Sequence, residues 1–341
     1  MRLLGVILAM TAAGCAQTYP GAWGDDRMIR AGETYDSPEV KASTPFTRAV
    51  ASWNSDYAAR DLTQDNLNHP REPLNGCVQL ELQAGNDSGW FAWQSMGTWG
   101  MGIGGASVKQ NGDASCSVDT DTLMVAKGVT ADRFRYRLRR SGDARLRFVA
   151  VTTWTPGDAE PFAAVKSAAW GKTIDVPKRS QMVEDEAIRG DICSATSLAM
   201  VLEHYGVKKS TRVVADGVYD HEAKIYGNWP LNTAYAAIAG MKVAYVAHFR
   251  SLADLEGEIA AGRPVIISHK WKEGELTGAP VAASKGHLIV VVGFTETGDV
   301  VVNDPAAHPD KGEDVRRTYP RREIYHTWLE NASGIAYVIR N

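Results

Sequence analysis

The sequence predicts two folded parts, an antiparallel β-sandwich-like domain over residues 45–156 and an α+β domain over residues 173–341. The first supporting observation is length, since 341 residues exceed what one hydrophobic core usually organises. The second is a pattern. Between residue 45 and about residue 154, short strand-like runs such as Cys77-Val78-Gln79-Leu80-Glu81-Leu82 alternate with Gly, Asn and Asp clusters. The third is the change of character beyond about residue 170, where one strong helical period, helical segments around 229–240 and 252–261, and several Val/Ile-rich strands follow. Hydrophobic residues at 44% and charged residues at 23% are ordinary globular values and exclude disorder, collagen and coiled coil. Lys+Arg 37 against Asp+Glu 40 lacks the basic excess of a phosphate-tracking binder, which removes nucleic acid from the expected partners.

Near its start the sequence has Arg2, an apolar run over residues 3–13, and Ala12-Ala13-Gly14 directly before Cys15. This reads as an export signal, because spanning a bilayer as a helix needs about 20 apolar residues. Small residues before a cysteine resemble the bacterial lipoprotein signal, although Ala12 stands where leucine is usual. That resemblance implies cleavage after residue 14, acylation of Cys15, a tether over 15–44, and a membrane partner reached through the lipid. With Ala16 and not aspartate next, it favours the outer membrane of the cell envelope. The alternative is plain cleavage and secretion with Cys15 discarded.

Export implies an oxidising compartment, where spare cysteines tend to be bridged. Cys77 and Cys116, both in the strand-rich half, are the expected disulfide pair, which leaves Cys193 unpaired. Such a thiol is either an inert core residue or a nucleophile kept reduced for use.

Within the β region, Phe134, Tyr136 and Leu138 alternate with Arg133, Arg135, Arg137 and Arg139. Leu146 and Phe148 alternate likewise with Arg145 and Arg147. A hairpin about Ser141-Gly142-Asp143 sets Arg137 opposite Arg147 and Arg139 opposite Arg145, so something acidic must cover that face. A neighbouring acidic strand is the first expectation, and an anionic lipid or cell-wall polymer the second. Trp90, Trp93 and Trp99 are expected in the core and are assigned no site.

The run from Asp191 to Gly206 carries Leu198, Val201, Leu202 and Tyr205 on one helical face, with Asp191 as expected N-cap and Gly206 as the stop. Cys193 then falls in the first turn, where unpaired N–H groups and the helix dipole favour a thiolate. A thiolate that cleaves an amide needs a proton donor for the leaving amine, and that donor needs an orienter. Of eight histidines, His287 directly precedes the strand Leu288-Ile289-Val290-Val291-Val292-Gly293-Phe294. The next strand, Val300-Val301-Val302, ends at Asn303-Asp304-Pro305. A hairpin through Thr295-Glu296-Thr297-Gly298 pairs Phe294 with Asp299 and Ile289 with Asp304, which sets His287 diagonally across from Asp304 on one face. Gln181, just upstream of the helix, is the candidate side-chain donor to an oxyanion, with the Cys193 N–H as the second.

Val176-Pro177 with Ser180-Gln181-Met182, the run from Cys193 to Gly206, Asn228-Trp229-Pro230, Gly286-His287-Leu288 and Val302-Asn303-Asp304-Pro305 together resemble the bacteriocin-processing, double-glycine-leader cysteine peptidase family. The resemblance runs from about residue 175 to 339 and is to its stand-alone branch. It implies a papain-like fold with Cys193 as nucleophile, His287 as general acid/base, Asp304 as its orienter and Gln181 as oxyanion donor. Ser194-Ala195 departs from the glycine or serine followed by proline that such proteins often carry. A peptide or protein substrate and no cofactor are implied. Cell-wall peptide hydrolysis or acyl transfer on the same site, and a peptide-binding module with an inactive thiol, are the competing readings. His269 lacks the short-spaced partner of a zinc ligand, so no metal is expected. The stretch 270–285 is either a lid or a surface loop.

Overall fold

A computed structural model describes residues 18–22, 32–57, 76–100, 104–108, 112–142 and 144–341. Cys15 and the signal-like run lie outside the described residues. The first half comprises β1 (Thr18–Ala22), β2 (Thr34–Asp36), β3 (Val40–Phe46), β4 (Arg48–Tyr57), β5 (Val78–Asn86), β6 (Gly89–Trp90), β7 (Gln94–Gly100) and β8 (Gly104–Ala106). It continues with β9 (Cys116–Asp119), β10 (Thr122–Val125), β11 (Ala131–Arg140) and β12 (Ala144–Trp154). These build two antiparallel sheets, β1-β12-β4-β10-β9 and β2-β11-β5-β7-β8, with β3 added to β11 and β6 to β5. Inward-facing Phe46, Trp53, Leu80, Leu82, Leu123 and Phe134 fill the space between them, as alternation along each strand requires.

Several expectations are corrected. β11 and β12 do not pair as a hairpin. They belong to opposite sheets, so β11 pairs with β5, β2 and β3 while β12 pairs with β4 and β1. The arginines of β11 therefore face acidic neighbours in their own sheet. Arg137 Nε reaches Asp36 Oδ1 at 2.6 Å and Arg139 Nη2 reaches Glu81 Oε2 at 3.3 Å. Trp90 and Trp93 lie over the same row, with the Arg135 guanidinium 4.6 Å from the first ring and the Arg137 guanidinium 4.3 Å from the second. Of the three tryptophans only Trp99 is core.

The Cys77–Cys116 bridge is not formed, and both thiols are free. Cys77 sits beside Gly100 at one end of β7, and the Cys116 sulfur faces the Ala92 carbonyl, 3.8 Å away, just before the other end. A seven-residue strand separates those ends by roughly 20 Å, whereas a disulfide needs Cα atoms within about 7 Å. The segment read as a tether supplies β1, β2 and most of β3, which pair with β12 and β11.

The second half contains α1 (Cys193–His204), α2 (Thr211–Val218), α3 (Trp229–Ile238), β13 (Val243–His248), α4 (Leu252–Ala260), β14 (Val265–Trp271), β15 (Ser284–Phe294), β16 (Val300–Asn303), β17 (Arg316–Tyr319) and β18 (Ile335–Arg340). Its six strands form one antiparallel sheet in the order β13-β18-β14-β15-β16-β17. This is an α+β arrangement, a buried helix against an antiparallel sheet, with a β domain ahead of it. Among the described residues no helix is long and apolar enough to cross a membrane.

The two halves share their interior. Buried Asn54 of β4 exchanges both amide hydrogen bonds with the Ala244 backbone, at 2.7 and 2.9 Å. Thr152 Oγ1 donates to the Val246 carbonyl at 2.7 Å, and the Val246 N–H donates to Ser52 Oγ at 2.9 Å. Apolar residues of both halves pack in the same clusters, Trp53 with Leu198 and Phe148 with Tyr245 among them. That covering explains why β12 is buried on both faces from Phe148 onward, where alternation predicts one apolar face. Residues 157–172 run along the second half, where the Trp170 indole N–H donates to Glu256 Oε1 at 2.7 Å and Tyr325 Oη to the Glu160 carbonyl at 2.7 Å.

Candidate active site

Cys193 is the first residue of α1, as expected, but the cap differs. Ile192, not Asp191, occupies the N-cap and offers no side-chain acceptor. The first N–H groups of the helix are thus left to act on whatever lies at its end, which is where the Cys193 sulfur sits. The helix is buried from Ser194 to Leu202 on all sides, more than a single apolar face predicts, because it is held between the sheet and α2 and α3. Small and hydroxylated residues make that possible. Ser194 Oγ donates to Asn232 Oδ1 at 2.8 Å and lies 3.0 Å from Tyr337 Oη. Ser197 Oγ donates to the Leu288 carbonyl at 3.0 Å, which ties the helix to the strand residue beside His287.

His287 and Asp304 meet as the hairpin argument requires, by a slightly different route. β15 pairs with β16 through Val290↔Asn303 and Val291↔Val302, the expected register at this end. At the turn Phe294 faces Val300 and not Asp299, and a bulge between Val291 and Gly293 absorbs the difference. His287 Nε2 lies 2.8 Å from Asp304 Oδ1. Asp304 is fully buried and also accepts from the Ala306 N–H at 2.9 Å and from Tyr319 Oη at 2.6 Å. With Nε2 so engaged, Nδ1 of His287 is the nitrogen left for sulfur, and each of Cys193 and His287 shifts the other's titration.

The electrostatics follow from burial and these partners. Burial pushes the Cys193 thiol up, but the hydrogen bond and charge of His287, with the backbone N–H groups of Leu288 and Ser194, bring it below its ordinary value. Burial disfavours the His287 cation, and the Asp304 carboxylate together with Cys193 more than offsets this, so His287 is raised. Burial also disfavours the Asp304 charge, while His287, Tyr319 and the Ala306 N–H hold that carboxyl down at about 2. The arrangement favours a thiolate beside an imidazolium beside a carboxylate.

Gln181 lies next to this line, its backbone N–H donating to the Pro305 carbonyl at 2.8 Å. Its Nε2 donates to the Arg189 carbonyl at 2.7 Å and its buried Oε1 has no partner. His269 is the direct cross-strand neighbour of His287, with ring centroids 5.8 Å apart, and burial with the neighbouring His287 charge pushes it down to about 3. It is a neutral ring packed against Trp271 and His287. The connection from β14 to β15 is pinned, with Leu276 buried and the Thr277 N–H on Glu323 Oε2 at 2.6 Å, so it is an anchored loop.

A cleft of about 850 Å³ opens over Cys193, bordered by Trp229, His269, Lys270, Lys285 and Gly286 from the second half and by residues of β9, β10 and β12 from the first. Tyr319, Asn232, Tyr337 and Asp121 support this site without a sequence signal, since each acts through a contact between distant segments.

Residues 173–335 match the Peptidase_C39 like family, and residues 69–155 match the Peptidase C39 N-terminal domain. Among solved structures, one described as a C39-like peptidase from Bacillus anthracis is 19% identical, with a TM-score of 0.38 over 50% of this chain and 97% of its own. A double glycine motif protease from an AMS/PCAT transporter, in complex with the leader peptide, is 21% identical, with a TM-score of 0.30 over 49% of this chain and 92% of its own. Xylellain, a cysteine protease from Xylella fastidiosa, is 12% identical, with a TM-score of 0.28 over 54% of this chain and 95% of its own. No curated protein matches. The second half of the chain is thus similar to the Peptidase_C39 like family, and part of the first half to the Peptidase C39 N-terminal domain.

Proposed function

We propose that this protein is an exported thiol peptidase that hydrolyses peptide or amide bonds through Cys193, His287 and Asp304. The observation that carries the reading is the hydrogen bond of His287 to the buried Asp304, with the charge of that ring lowering a Cys193 thiol that starts a helix in a C39-like domain. The Cys193 thiolate attacks the scissile carbonyl carbon, and the carbonyl π electrons move onto oxygen. The Cys193 N–H at the helix start and the second Nε2 hydrogen of Gln181 are the donors to that oxyanion. Collapse of the intermediate breaks the C–N bond while Nδ1 of His287 gives its proton to the leaving amine. Water then attacks the thioester as His287 takes a proton back, and the acid leaves with the thiolate restored. Asp304 holds the ring and balances its charge throughout. No step requires a cofactor.

Cys15 is assigned as the acylated N-terminus, which anchors the protein at the cell envelope. Metabolic labelling with a fatty-acid analogue is expected to mark the wild type and not Cys15→Ser. Equal labelling of the two removes the anchor.

The enzymatic reading is tested by incubating the full chain and its Cys193→Ala variant with a cell-envelope extract and mapping new peptide termini by mass spectrometry. Termini that depend on Cys193 are expected. Identical termini with both proteins, or none with either, refute the assignment.

A further inference from the structure

The cleft over Cys193 is not built by the peptidase-family domain alone. Asp119, Thr120, Asp121 and Thr122, at the turn between β9 and β10 of the N-terminal domain, line it together with Cys193 and Trp229. We propose that this turn is a substrate-contacting wall, so that the N-terminal domain helps select the peptide that Cys193 attacks, with Asp121 positioning the wall against α3. The inference rests on the peptidase reading and deepens it.

Trp229 is the first residue of α3, so its N–H has no partner within the helix. It donates instead to Asp121 Oδ2 at 2.9 Å, across the domain boundary. Asp121 is 7% exposed, and its other oxygen accepts from Thr122 Oγ1 at 3.0 Å. The carboxylate thus clamps the turn to the segment that supplies the cleft's tryptophan. Thr120, at the tip, has φ 56°, a left-handed conformation that a β-branched residue rarely adopts. The turn is therefore held in a shape its own sequence does not favour. A second contact locks the same seam. The Ser107 N–H donates to Asp220 Oδ1 at 3.1 Å, and Asp220 in turn accepts from the Asn228 side chain, the cap of α3, at 2.8 Å.

Asp121 is too enclosed to meet substrate and acts through the wall, whereas Asp119 is exposed and Thr120 half-buried where they border the cleft. A cleft of about 850 Å³ takes a short extended peptide, not a single side chain. One peptide position therefore lies within reach of the Asp119 carboxylate, and a basic residue is favoured there.

The test uses the full chain as wild type, Asp119→Lys, Asp121→Ala and Asp121→Asn, with a proteome-derived peptide library. Iodoacetamide, too small to reach the wall, reads Cys193 itself and is expected to react at the same rate in all four. Asp119→Lys is expected to change the charge preference at one substrate position by about tenfold. Asp121→Ala is expected to raise KM about tenfold with kcat within about twofold, and Asp121→Asn, which keeps an acceptor for the Trp229 N–H, to recover most of that loss. Library peptides retained by Cys193→Ala, with and without Asp119→Lys, read the wall without chemistry. Unchanged retention and unchanged cleavage in Asp119→Lys overturn the proposal. An inert Cys193 with position-specific retention overturns the peptidase reading and leaves the wall standing.

Discussion

Replacing Asp304 by asparagine and by alanine separates charge from orientation at the centre of the site. In Asp304→Asn, Oδ1 still accepts from His287 Nε2 and the Ala306 N–H, and the new amide meets Tyr319 Oη, which turns from donor to acceptor. What is lost is the charge beside a buried imidazolium. A charge-assisted hydrogen bond is worth about 1.5 kcal/mol more than a neutral one, which is about one pH unit on a coupled titration. Losing that charge lowers His287, so Cys193 alkylation by iodoacetamide at neutral pH is expected to fall about tenfold as the thiolate–imidazolium pair gives way to the neutral pair, and the alkaline limb of kcat/KM to move down by about one unit. Asp304→Ala also leaves His287 Nε2–H and Tyr319 Oη without their acceptor in a fully buried space. Uncompensated buried charge costs about 3–5 kcal/mol, so a loss of a hundredfold to several thousandfold is expected. The stability linkage has two signs. The raised His287 contributes fully below its ordinary value of 6.5 and loses that contribution as pH rises through its folded value. The lowered Asp304 contributes fully above its ordinary 3.8 and loses it as pH falls towards about 2. The pair thus stabilises the wild type most between 3.8 and 6.5. Alkylation profiles of wild type and Asp304→Asn that superimpose refute the role of Asp304 as counter-ion.

Further outcomes follow from other contacts. Gln181→Ala is expected to lower kcat by about a hundredfold or more with KM little changed, and an unchanged kcat removes it from the oxyanion site. Asn54→Ala strips the Ala244 backbone of two buried partners. It is expected to lower stability by about 2–4 kcal/mol within a single unfolding transition followed by calorimetry, whereas two separate transitions would contradict a shared core. Tyr319→Phe is expected to shift the Cys193 alkylation profile in the direction of Asp304→Asn but by less, because one hydrogen bond to Asp304 goes while the charge stays. Peptide mapping without reductant is expected to recover Cys77 and Cys116 as thiols, and a Cys77–Cys116 linked peptide would contradict the placement of the two at opposite ends of β7.

Local chemistry made some of this site legible in the chain itself. A thiol ahead of a helical period, a histidine before an apolar strand and an aspartate ending the next strand each declare an element and a place on it. The short connection from Phe294 to Val300 then restricts which faces meet. Even there the bulge after Val291 has no signal in the sequence, and His287 still reaches Asp304 because the bulge and a longer turn cancel.

Where the chain returns to itself over long distances, the sequence was silent or misleading. Alternation identified β11 and β12 as strands, but whether they pair with each other or go to opposite sheets depends on which partner covers each apolar face. Composition cannot express that competition. The same holds for Cys77 and Cys116, two thiols in one domain set apart by a strand's length, and for Asp191, displaced from the cap by the packing of Ile192. Hydrophobic periodicity and turn chemistry are properties of a few neighbouring residues, so sequence alone determined the elements, the place of Cys193 on its helix and a strand-rich first half ahead of a mixed α+β second half. Sheet membership, the Tyr319 and Asn232 contacts and the seam that brings β9 and β10 to Cys193 depend on free-energy differences between alternative burials of the whole chain, and only the tertiary structure decided them.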